Sequence, residues 1–267
     1  MARRFGVEIE AGGARMQTVA DAMNAAGIRC YVAGYTHTVG DSWKLVTDGS
    51  LEISRGFELV SPILVGDEGL ETLRRVFAIL NDIGCIINRS CGLHVHVDAA
   101  DCDVADVKAV AKAFIKHEHH FDSLVPPSRR CNRYCTSNLK TLAGRDAQGP
   151  AARESAIARI DACETVNSLR MMFETNYLGA RYHKLNLEAL GRYRTIEFRQ
   201  HSATLSAAKA IAWVSLCIGF VTRARKLRDK FTLGANSWTH FLRYATEQFR
   251  AALTGRREDI AELEAVS

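Results

Sequence analysis

No Cys-x-x-Cys pair occurs among the eight cysteines, no block of Lys and Arg runs through the chain, and no apolar stretch reads as long enough to cross a bilayer. Without a second cysteine pair at zinc spacing, Cys131 and Cys135 are better read as buried or idle thiols than as metal ligands. Cysteines scattered through a long chain fit a reducing, cytoplasmic setting rather than a disulfide scaffold. Without a basic block, the net charge of +5 and pI near 8.8 suit an anionic ligand such as a nucleotide but argue for no nucleic-acid groove. The opening MARRFGVEIE lacks an apolar h-region and a small-residue cleavage site, so no secretory leader is expected. Ala210 to Val221, the most apolar later stretch, reads as too short for a membrane span and runs into Arg223, Arg225 and Lys226. Internal repeats and low-complexity tracts are also missing.

The 267 residues are 47% hydrophobic and 24% charged, enough to bury a sizeable core. Phe5, Val7 and Ile9 alternate with Gly6, Glu8 and Glu10, the period of a half-buried strand. A helix through Val19, Ala20, Met23 and Ala26 should stop at Gly27. Strands are expected at Arg29 to Tyr35, Trp43 to Val46 and Gly56 to Val60, with a turn at Asp48-Gly49 and an end at Pro62. Asp67 should cap a helix with the stripe Leu70, Leu73, Val76, Phe77, Leu80 and Ile83, closed by Gly84. Leu93 to Asp98 returns to period two, and Asp103 should cap a helix through Val107, Val110, Phe114 and Ile115. Residues 128–150 read as a long loop or lid, and Ala151 to Phe173 as helical. Tyr182 to Leu190 and Arg194 to His201 read as an antiparallel strand pair, and Ser206 to Leu227, Trp238 to Leu253 and Arg257 to Ala265 as helices. Strands that alternate in polarity predict an α+β fold: a mainly antiparallel sheet with helices behind it and a C-terminal helical segment.

The polar strand faces carry the chemistry. Period two puts Glu8 and Glu10 side by side, a spacing that suits shared hard-cation coordination but also an edge strand in water. It puts His94, His96 and Asp98 on one face, where paired imidazoles point as readily to a metal or phosphate site as to surface histidines. Glu197, Arg199 and His201 share a third face, and Lys184, Asn186 and Glu188 a fourth, while Asp48, Glu52 and Glu58 add acids nearby. The His117, His119 and His120 cluster reads as solvated helix surface, and Trp43, Trp213 and Trp238 as core or interface anchors. Taken together, so many charged strand faces favour a site.

FGVEIE, FELVSP, CGLHVHVD, NRYC, YHKLNLEAL and TIEFRQHSATL, in that order, resemble the amidoligase family of carboxylate-amine ligases with the glutamine synthetase fold. The resemblance runs from about Phe5 to Leu205, with Ala203 where many relatives have glycine. It implies a curved, half-barrel sheet, a catalytic domain over residues 1–205, and C-terminal helices (206–267) packed on it. It further implies an ATP-dependent ligase acting through an acyl phosphate, with two or more Mg2+ ions for which Mn2+ could substitute. Glu8, His94 and Glu197 would then hold one ion, Glu10 and Glu58 the other, and His96 and Arg199 would contact phosphate. Arg129, Arg130 and Arg133 become candidate nucleotide contacts from the lid, and Lys184 and Asn186 candidate ligand contacts. Partners would be small-molecule or peptide carboxylates and amines, with nucleic acid only as a modified-base substrate, no membrane, and a homo-oligomer left open. The alternatives are a divalent-metal hydrolase, since His-x-His with acids also suits an ion that activates water, and an inactive binding protein on the same fold.

Overall fold

A computed structural model describes residues 2–34, 40–174 and 180–265. They group into two compact units, residues 1–96 with 201–214 and residues 97–200 with 215–267. Among the described residues there are ten α-helices and eight strands, and the strands form a mostly antiparallel sheet that is not closed into a barrel. The α+β expectation holds.

In the first unit, β1 (Arg4–Ala11) buries Phe5, Val7 and Ile9. α1 (Met16–Ala25) buries Val19, Ala20 and Met23 and ends before Gly27, whose φ of 75° favours glycine. β2 (Cys30–Val32) runs parallel to β3 (Trp43–Val46), while β4 (Phe57–Val60) is antiparallel to both β3 and β1, and β5 (Leu64–Val65) to β1. The expected strand to Tyr35 is shorter, and Tyr35 itself lies outside the described residues. α2 (Gly66–Asp82) turns Leu73, Val76, Phe77 and Leu80 inward and packs on α1. Its N-cap is Val65 and not Asp67, which sits in the first turn, where a carboxylate meets the positive end of the helix dipole. β6 (Gly92–Asp98) buries Leu93, Val95 and Val97.

Register places the polar groups. Ile9, Leu59 and Leu45 form a buried row across β1, β4 and β3. The rows on either side project to the opposite face, so Glu10 stands directly across from Glu58, while Val60 stands across from both Glu8 and Lys44.

α3 (Val104–Asp122) opens the second unit with Asp103 accepting the Asp106 N–H at 2.8 Å, as expected of a cap. The 128–150 segment is more ordered than a loop: it holds α4 (Asn138–Ala143), capped by Ser137, and the start of α5 (Gly149–Asp161). α6 (Val166–Met171) starts at a Thr165–Ser168 capping box and separates what read as one helix to Phe173. β7 (Leu185–Asn186) has two residues, not the expected nine-residue run, because α7 (Ala189–Tyr193) takes its second half. β8 (Thr195–Ser202) pairs antiparallel with β7. α8 (Ala207–Lys226) and α9 (Trp238–Phe241) follow, and α10 (Glu247–Ala265) continues unbroken through the interruption expected after Leu253. At 20 residues α8 does reach spanning length, a correction to the reading of its apolar centre, but 61% of its apolar window is buried inside the fold.

The core of this unit is aromatic. Phe121 lies 5.0 Å from Phe114, 5.9 Å from Phe198, 5.1 Å from Phe220 and 5.0 Å from Phe241, centroid to centroid. Such pairs add about 0.5–1.5 kcal/mol each beyond burial. Gly219 on α8 lets the Tyr244 backbone come close, since a Cβ there would stand 2.1 Å from the Tyr244 carbonyl oxygen.

Candidate functional site

In the first unit, β1 and β6 turn their carboxylates and imidazoles to one place. Glu8 Oε2 lies 3.0 Å from His94 Nδ1, and Glu8 Oε1 lies 3.3 Å from His96 Nε2. Burial pushes the Glu8 carboxyl up, but the hydrogen bonds and charges of His94 and His96 overcome this and hold it well below the ordinary range. His94 is buried and its Nε2 stands 3.7 Å from Glu10 Oε1, while Glu10 Oε2 accepts the Gly92 N–H at 2.5 Å.

Beside this, Glu10, Asp48 and Glu58 bring one carboxylate oxygen each to within 4.8 Å of one another. Like charges directly opposite on paired strands destabilise a sheet, so Glu10 across from Glu58, with Asp48 as a third, forms an acidic group that a cation would relieve. Lys44 is buried near them: burial lowers its pKa, while Glu58 and Glu8 work in the opposite direction. Glu8 is partnered by His94 and His96, which leaves Lys44 beside the group formed by Glu10, Asp48 and Glu58. Carboxylate oxygens at this spread, with imidazole nitrogens adjacent, fit a hard divalent ion whose ligands sit about 2.0–2.6 Å away.

Sequence reasoning left Asp48 outside the ligand set and missed Lys44. Asp48 announced itself as a turn residue, and its Oδ1 does accept the Ser50 N–H at 2.8 Å. Lys44 alternates with Trp43 and Leu45, the one signal that could have found it, on a strand of only four residues.

In the second unit, Glu197 is buried. Its Oε1 accepts Arg199 Nη1 at 2.6 Å and its Oε2 accepts Asn186 Nδ2 at 2.5 Å, so the carboxylate and guanidinium of β8 are locked together. Arg199 also stands 5.7 Å from the Tyr182 ring. Arg129 is buried and braces β8 from behind, donating to the Arg199 carbonyl at 2.8 Å and the Gln200 carbonyl at 3.3 Å. Arg130 donates to the carbonyls of Asp122 and Val125 and pairs with Glu264, and Arg133 lies over the Tyr134 ring. Lys184 directly precedes β7, and its carbonyl accepts the Arg199 N–H at 2.9 Å, while its Nζ meets Asp122 at 2.6 Å and Glu118 at 2.9 Å.

His117 and His120 are not solvated surface; they are buried, and only His119 of the three is exposed. His117 sits among His120, His240, Phe241 and Tyr244, with centroids 5.2–5.9 Å away. Burial first, then the charges of Lys116 and its neighbouring histidines, lowers its pKa to about 2. A depressed histidine pKa means that the unfolded chain binds the proton and the folded one does not. Stability should therefore hold above pH 6.5 and fall by about 1.4 kcal/mol per pH unit from this residue as pH drops below it. Thermal unfolding midpoints should decline from pH 7 to pH 5, and His117→Leu should flatten that decline; an unchanged slope would refute the assignment.

A family model described as "putative amidoligase enzyme" matches residues 1–221. No curated protein matches the sequence. The family match covers β1 through most of α8 and includes every strand that carries a candidate ligand, so the chain belongs to the amidoligase family.

Proposed function

We propose that the protein is an ATP- and Mg2+-dependent ligase that joins a carboxylate to an amine through an acyl phosphate. Family membership supports a ligase, and the observation that carries the metal-dependent reading is the gathering of Glu10, Asp48 and Glu58 with Lys44 beside them. Glu10, Glu58 and Asp48 would hold one ion, and Glu8 and His94 would serve as ligands of another. Bound magnesium would neutralise phosphate charge and polarise the bond to be broken. Arg199 would hold the transferring phosphoryl group, its guanidinium kept in orientation by Glu197, and His96 would serve as a phosphate contact on β6.

In the first step a substrate carboxylate oxygen bonds to the terminal phosphorus as the bond to ADP breaks. In the second the amine nitrogen bonds to the carbonyl carbon, phosphate leaves with the oxygen it gained, and the nitrogen loses a proton. Phosphoryl transfer of this kind needs positioning and charge neutralisation more than covalent help, which matches a face made of carboxylates, imidazoles and a guanidinium.

Mn2+ offers a direct probe, read by electron paramagnetic resonance with and without ATP. Wild-type protein should bind Mn2+, and Glu10→Gln with Glu58→Gln should weaken that binding roughly tenfold or more. Equal binding by wild type and the double variant would remove these residues from the metal site.

A further inference from the structure

In the second unit a cleft of about 260 Å³ lies between α3 and the segment 130–153. That is just under the ~300 Å³ at which sites for drug-sized ligands begin, so it suits a small metabolite. Buried Glu118 and Lys184 and half-buried Asp122 form its inner wall, and Lys140 and Arg153 its outer one.

The inner wall is short of positive charge, because a single lysine serves two carboxylates. Glu118 is satisfied on both oxygens, by Lys184 and by the Leu139 N–H at 2.9 Å. Asp122 has one oxygen to spare: Lys184 and Gln200 both donate to Oδ1, and Oδ2 has no protein donor among the described residues and is open to water, with 27% of the side chain exposed. Burial raises the Asp122 pKa, Lys184 holds it down, and Glu118 raises it further, while Lys184 keeps its own proton more firmly between the two acids despite burial. An ammonium arriving at Oδ2 would relieve this imbalance. The outer wall has the opposite character. Neither the Arg153 nor the Lys140 side chain has an ion pair or hydrogen bond among the described residues.

We propose that this cleft binds a small zwitterion such as a free α-amino acid, its ammonium on Asp122 and its carboxylate between Arg153 and Lys140. Calling that ligand the amine substrate rests on the ligase reading, whereas the binding itself does not.

Calorimetric titration of the full chain, without nucleotide or metal, separates the two. The probes are L-serine, L-glutamate and L-lysine, each beside its deaminated acid and its decarboxylated amine. At least one amino acid should bind, with both of its single-charge analogues roughly tenfold weaker or worse. Asp122→Asn and the outer-wall variant Arg153→Ala should each weaken the amino acid by a similar factor. If an acid binds as well as its amino acid and ignores Asp122→Asn, the cleft is an anion site and the proposal fails. It also fails if no amino acid binds at the highest concentration reached. Amino-acid binding without ATP turnover would support the cleft and count against the ligase; turnover without amino-acid binding would do the reverse.

Discussion

Arg199→Ala should lower ligase turnover by roughly 10³-fold or more, the scale at which an arginine stabilises a transferring phosphoryl group. The effect should appear in kcat as well as in KM, because the charge it meets grows during transfer. Arg199→Lys separates geometry from charge. Lysine supplies a positive charge but not the planar fork that holds Glu197 and, in the proposed reaction, would hold phosphate, so it should recover only a small part of the loss. Glu197 would keep its hydrogen bond from Asn186 in either variant, but Arg199→Ala strands a buried carboxylate, so thermal unfolding must accompany the assay to separate lost activity from lost fold. Full activity in the lysine variant would reduce Arg199 to a simple counter-charge.

Lys184→Ala should have the largest effect on stability. It strands Glu118 and Asp122 without their shared ammonium, and removing one partner from a buried ionic cluster costs about 3–5 kcal/mol. For a chain of this size the midpoint of thermal unfolding should fall by roughly 6–20 °C. Replacing all three together, as Lys184→Met with Glu118→Gln and Asp122→Asn, should recover much of that loss, since the penalty comes from uncompensated charge and not from missing contacts. A single variant that unfolds like wild type would show that water reaches the cluster freely.

The parts of the fold that were legible in the sequence are those long enough to show a period. β1 has eight residues, β6 seven and β8 eight, and in each the alternation separates core from polar face. β7 has two residues and α4 six, a single strand period and fewer than two helical turns, too few repeats to reveal a pattern, so a strand was drawn too long and a helix was read as loop. The histidines failed for a different reason. α3 is buried nearly all round, from Asp106 to Phe121, so no polar stripe marks a solvent side and a histidine there looks the same whether wet or dry. At the site, strand alternation put Glu8 beside Glu10 and His94 beside His96, while Glu58 joined them as a ligand only through the family resemblance. Asp48 could not be grouped with them, since it enters from a turn, and turns carry no period. Lys184 shows the same limit in reverse: its pairing with α3 is a tertiary contact 62 residues away in sequence, invisible to local spacing.

The most direct test of the ligase reading is ADP release from ATP and Mg2+ in the presence of pooled amino acids, polyamines and cell-extract metabolites, with Glu197→Ala and Arg199→Ala as controls. The account predicts release that depends on the pool and disappears in both variants. A wild-type protein that neither binds nor turns over ATP with Mg2+ or Mn2+ would contradict it.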